Sequence, residues 1–257
     1  MGSTLDEGEC TMDTQSNENN LTIRPRRALY VFGGAGMIVI ILSFFSQYIR
    51  LFPEIYSIHQ PYQADLIKDF ILEFDFNGQP GIAIYYNVFI LLAASGLLFV
   101  TAHLKNLNKD AYRFYWLSLA WIVLIFSIDN LAIFHEKIKL LFKDKTDVGG
   151  WSEYTWVIVG IMIFAVLFFR FWRSLDKKYR FLFFASGILY FSGVLGEEIT
   201  RFNDTTELIY SLLLTVEQGL QYAGGILLIY ATLLNLTHVF PNFIVSIKIG
   251  IDQNKNK

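Results

Sequence analysis

Residues 211–236 read SLLLTVEQGLQYAGGILLIYATLLNL, an apolar run interrupted by a single charge, Glu217. An α-helix rises about 1.5 Å per residue, so about 20 residues cross the roughly 30 Å of bilayer hydrocarbon. The run is long enough to span. Moving back along the chain, the same pattern recurs at 181–200, 154–172, 113–134, 83–102 and 28–48. Six spans predict an all-α, polytopic membrane helical bundle. The composition agrees. Of 257 residues, 54% are hydrophobic and 17% aromatic, with charges gathered between long uncharged stretches. Soluble domains are rarely so apolar.

The segments between the spans set the organisation. Residues 1–22 are polar, with few large apolar side chains, and are expected to be a disordered tail without a cleavable signal peptide. Residues 23–237 form the transmembrane domain and 238–257 a cytoplasmic tail. The longest loop, 49–82, contains ADLIKDFILEF at 64–74, whose apolar residues recur at helical spacing. It is expected to lie as an interfacial helix across the mouth of the bundle. With both termini inside, the cytoplasmic segments carry twice as many Lys and Arg as the external ones. That bias is the positive-inside rule and favours both termini being cytoplasmic.

Composition also excludes several chemistries. The net charge is −2, and no basic patch is interleaved with aromatics, which argues against nucleic-acid binding. Cys10 is the sole cysteine, so neither an internal disulfide nor a thiolate metal cluster can form. No GxxxxGK[ST] loop is present, which leaves nucleotide binding without support.

What remains is a set of acids at one depth. Under this topology Asp129, His135 and Glu136 lie near the outer end of the third span. Glu197 and Glu198 lie at the outer end of the fifth, and Glu217 lies just inside the sixth. An ionisable group at bilayer depth is costly and needs a partner or a purpose. Asp129 and Glu136, seven apart, share a helix face, as do Glu217 and Gln221, four apart. Gly193, four before Glu197, allows a neighbouring helix to approach closely. Carboxylates with one imidazole suit Fe, Mn or Zn. The candidate metal ligands are therefore Asp129, His135, Glu136, Glu197, Glu198 and Glu217, with Asn130, Gln218 and Gln221 supporting them. Ordinary structural roles compete: Glu198 can pair with Arg201, and Glu136 with Lys139 or Lys143.

SIDNLAIFHEKI at 127–138, LGEEI at 195–199 and VEQGLQYAGGILLIYATL at 216–233 resemble a group of uncharacterised prokaryotic multipass membrane proteins. That group carries D-E-x4-H-E on one helix and E-E-x-x-E on a later one. Asn130 stands where the second acid of the first motif would be, and Gln218 and Gln221 replace two acids of the last. The resemblance implies a shared fold and a shared polar site in a prokaryotic plasma membrane, without a known activity.

Three functions fit these residues. One is a metal-dependent membrane enzyme acting on a lipophilic small-molecule substrate. A second is a proton- or cation-coupled transporter, for which Asp129 and Glu217 would bind the ion. A third is a non-catalytic scaffold or sensor. The sequence leaves the catalytic residues and the oligomeric state open. The topology is directly testable: reporters fused at residue 75 and at residue 257 should report opposite compartments.

Overall fold

A computed structural model describes residues 24–52, 68–71, 73–74, 81–132, 162, 165–166, 168–169, 171–173, 175–201 and 207–240, with the backbone alone at 197–201 and 207. Five long helices carry the architecture: α1 (Pro25–Leu51), α2 (Ile82–Leu107), α3 (Arg113–Ala132), α4 (Lys177–Arg201) and α5 (Glu207–Val239). All five are long and apolar enough to cross a membrane, and no strand occurs among the described residues. The chain is thus an all-helical membrane bundle. The predicted fourth span, 154–172, lies mostly outside the described residues; those described between 162 and 173 are helical.

Most of the helices outrun their predicted spans. Hydrophobicity marks only the part in hydrocarbon, whereas a helix continues until its backbone is capped or broken. Pro25 opens α1 at a position where its missing N–H costs nothing. α2 runs on through Lys105 and ends at Asn108. Beyond it Lys109 adopts φ 54°, the left-handed conformation more often given to glycine. Its N–H donates to Asn106 O at 3.0 Å, and the Asp110 N–H donates to Lys105 O at 2.9 Å. Lys105 Nζ also meets Asp110 Oδ2 at 2.6 Å, and Tyr112 N–H donates to Asp110 Oδ1 at 2.7 Å. Burial works to raise the Asp110 pKa, but these two partners outweigh it and hold the carboxylate below its ordinary value. A depressed pKa means that this tie contributes at neutral pH and is lost as pH falls through the folded value. The result is a tight α2–α3 hairpin.

α5 is the centre of the bundle, packing on α4, α1 and α2, while α3 packs on α2. The α4–α5 pair is the closest. A Cβ on Gly224 would lie 2.6 Å from Tyr190 N and 2.8 Å from Ser186 O. Ser186 Oγ uses this proximity to donate to Gly224 O at 2.8 Å. Trp116, 1% exposed, sits edge-on to Phe171 and Phe183, with ring centroids at 4.8 and 5.8 Å. It joins α3 to α4 and to the helical residues at 171–173. Outside, large apolar residues such as Tyr30, Ile38, Phe45, Phe89, Trp121, Ile125 and Phe181 are exposed. An apolar outer surface is what lipid requires of a spanning bundle. Within the predicted loop helix at 64–74, residues 68–71 and 73–74 are helical, and Ser46 Oγ donates to Ile71 O at 3.0 Å.

Because the Gly224 contacts are with backbone rather than with a movable side-chain tip, Gly224→Ala should force α4 and α5 apart. The expected loss is about 2 kcal/mol, typical of overpacking in a close-packed core. Thermal unfolding in detergent should show it, whereas Gly96→Ala, where an added Cβ meets nothing within 4 Å, should not lower the transition.

Candidate functional site

Polar side chains inside an apolar bundle must find one another or water. Here they collect at the end where α1, α3 and α4 finish and α2 and α5 begin. Gln221 of α5, 2% exposed, accepts a hydrogen bond at Oε1 from Asn87 Nδ2 of α2 at 2.9 Å. The same Nδ2 lies 3.5 Å from Asn130 Oδ1 of α3. Asn130 Nδ2 in turn donates to Tyr190 Oη of α4 at 3.1 Å and to Phe126 O of its own helix at 2.9 Å. Four helices therefore share one hydrogen-bonded layer. Ser127 Oγ donates to Val88 O at 3.0 Å, and Tyr222 Oη to Ala83 O at 2.7 Å. These two bonds fix α3 and α5 against α2 around the layer. Asn87 Oδ1, by contrast, has no hydrogen-bond partner among the described residues.

Glu217 borders this layer one turn along α5 and is 5% exposed. Two glycines of α4 make room for it. A Cβ on Gly193 would lie 2.5 Å from Glu217 O, and one on Gly196 would lie 3.1 Å from Glu217 Oε1. The Gly193 contact is the close approach that its spacing predicted. Gln218, 9% exposed, lies beside Glu217.

The predicted ligand set divides as follows. Asp129 is partly buried on α3 next to Asn130. Glu197 and Glu198 lie on the helical backbone of α4 immediately after Gly196, the residue packed against the Glu217 carboxylate; their side chains lie outside the described residues. His135 and Glu136 lie outside the described residues altogether. Among the described residues no three His, Cys, Asp or Glu side chains form a group able to hold a metal ion. A group of three or more such ligands around Glu217 would have to include side chains outside the described residues.

Two features were not anticipated from the sequence. Asn87 joins the layer, although a lone carboxamide within an apolar span is itself a signal. Tyr190 joins it too, and no sequence pattern distinguishes it from other span tyrosines. Tyr190 also lines a small apolar groove between α3 and α4, half open to the outside, with a cavity volume of about 40 Å³. Leu119, Val123, Phe126, Phe183 and Gly187 form much of its wall, and Phe168 contributes from the preceding helical residues. The groove and the polar layer meet at the Tyr190 ring.

The chain belongs to a family whose model, described as a domain of unknown function (DUF8692), matches residues 28–236. All five helices lie largely within that domain, as do Asn87, Asn130, Tyr190, Glu217 and Gln221. No curated protein and no solved structure matches the chain.

The layer is testable through its most shared member. Asn87→Leu removes the donor for Gln221 and leaves that buried carboxamide oxygen without its partner, at a cost of about 2 kcal/mol. Thermal stability in detergent should fall accordingly. Ser118→Ala, which removes only an exposed bond within α3, should leave it unchanged.

Proposed function

We propose that this DUF8692 member binds a lipophilic molecule within the bilayer. The apolar part lies in the α3–α4 groove and the polar end reaches the Asn130–Tyr190 layer. The observation that carries this reading is the double role of Tyr190: its ring walls the groove while its hydroxyl accepts from Asn130. Ligand sites commonly combine an apolar cavity with a few convergent polar groups.

The same reading makes the protein a metal-dependent membrane enzyme. Asp129, His135, Glu136, Glu197, Glu198 and Glu217 supply ligands for Fe, Mn or Zn, and Asn130, Gln218 and Gln221 orient them. Support comes from the backbone. α4 carries residues 197 and 198 directly beyond its contact with Glu217, and α3 brings residue 129 beside the shared layer. A bound cation would let several carboxylates remain ionised together. The Lys/Arg bias supports an outer-leaflet position for the site, and the resemblance to prokaryotic multipass proteins supports a prokaryotic plasma membrane.

The groove can be filled without disturbing the packing. A Cβ on Gly187 meets nothing within 4 Å, so Gly187→Trp should project its ring into the groove. In nanodiscs, a fatty acid bearing a diazirine should cross-link to peptides spanning 119–126 and 183–191 of the wild type. Gly187→Trp should reduce that labelling several-fold, and Gly96→Trp, also in open space, should not. Equal labelling of all three proteins would remove the ligand reading. Elemental analysis should find Fe, Mn or Zn at near one equivalent in the wild type and a marked loss in His135→Ala. Substoichiometric metal in the wild type would turn the site toward a proton or cation carrier or a scaffold.

A further inference from the structure

The polar layer has a second arm, on the side of α5 that faces α1. Gly36, Ile40, Ser43 and Gln47 recur at spacings of four, three and four, and so share one face of α1. The first two touch α5. A Cβ on Gly36 would lie 3.5 Å from Ile226 Cδ1, and one on Gly219 would lie 3.6 Å from Ile40 Cδ1. Contacts that step from 36 against 226 to 40 against 219 define an antiparallel register. Continued one and two turns, that register brings Ser43 to the level of Thr215 and Gln47 to the level of Ser211.

These side chains are sealed. Ser43 is 0% exposed, Gln47 2% and Ser211 4%. Ser43 Oγ, both amide atoms of Gln47 and Ser211 Oγ nevertheless have no hydrogen-bond partner among the described residues. Ser46, one residue before Gln47, shows the contrast through its bond to Ile71 O. A buried carboxamide and two hydroxyls left unpaired in a bilayer are strongly unfavourable, and polar groups in such a place are normally bridged by ordered water. The donor set also selects the ligand. A cation would be repelled by the Gln47 amide N–H groups, whereas water accepts from them and donates to the Gln47 oxygen, and the two serine hydroxyls can either donate to it or accept from it.

We infer that the α1–α5 seam is a bound-water site, with Ser43, Gln47 and Ser211 holding the water one to two turns from Glu217. Resting on the lipophilic-ligand reading, water then reaches the polar end of that ligand from the α1 side, separately from the groove between α3 and α4.

Hydroxyl-radical footprinting by X-ray radiolysis of the full chain in nanodiscs reads this directly, because buried side chains next to bound water become oxidised. Leu214 lies on α5 between Ser211 and Gln218 and is 4% exposed; Leu98 of α2 is 0% exposed and lies toward the opposite end of the bundle. Leu214 should be oxidised several-fold faster than Leu98 in the wild type. The double variant Ser43→Ala with Gln47→Met should bring Leu214 down to the Leu98 rate, and Ser43→Ala alone should give an intermediate value. Fatty-acid labelling of the groove should be unchanged in these variants, so a failed groove and a failed seam give different results. Equal rates for Leu214 and Leu98 in the wild type would overturn the inference even if the double variant did not fold. Fast oxidation of Leu214 that survives the single substitution and a folded double variant would overturn the assignment to these side chains.

Discussion

The near-contact of the α4 and α5 backbones is the constraint on which the rest depends. Gly193, Gly196 and Gly224 let the two helices approach until an added Cβ would collide with main chain or with Glu217. In lipid there is little hydrophobic drive to bring helices together, so close packing and interhelical hydrogen bonds must do it. The small residues provide the first and Ser186 the second. Once α4 is held at that distance, Tyr190 stands within reach of Asn130, and Glu217 is enclosed without leaving the bundle interior. The wider separation of α3 and α4, bridged mainly by aromatic rings, is what leaves room for the groove.

The distribution of polarity along the bundle follows from that packing. Toward the Lys105 end, the buried Thr101 and Thr232 return their hydroxyls to carbonyls of their own helices. Toward the Glu217 end, Asn87, Asn130, Tyr190 and Gln221 bond between helices, which couples four elements into one unit. A carboxamide shared three ways is sensitive to the position of every partner, so the layer fixes helix register as well as presenting polar atoms.

Much of this was legible in the sequence, for a simple reason. Bilayer thickness imposes a length on apolar segments, so the helices containing 83–102, 181–200 and 211–236 announce themselves. Their ends do not, because Lys105 or Lys177 can extend a helix into water without any change that hydropathy detects. Glu217 and Gln221 were visible as polar residues in an apolar run, and Gly193 was visible through its spacing. Which helix would fill the space above Gly193 was not visible, since interhelical pairing leaves no local signature. The groove was illegible for the same reason: it is made of ordinary span residues, and only their arrangement distinguishes them. His135, Glu136 and the side chains of Glu197 and Glu198 lie outside the described residues.

The central position of α5 bears on how the protein is made. α5 covers the polar face of α1 and supplies the partner of Asn87, yet it is synthesised after the other four helices. Until it leaves the ribosome, Ser43, Gln47 and Asn87 lack their cover in a membrane whose lipids cannot hydrogen-bond them. The newly inserted intermediate therefore needs temporary shielding, from the insertion machinery or from a chaperone within the membrane. The same uncovered side chains would mark a chain whose synthesis stopped early as a target for membrane proteolysis.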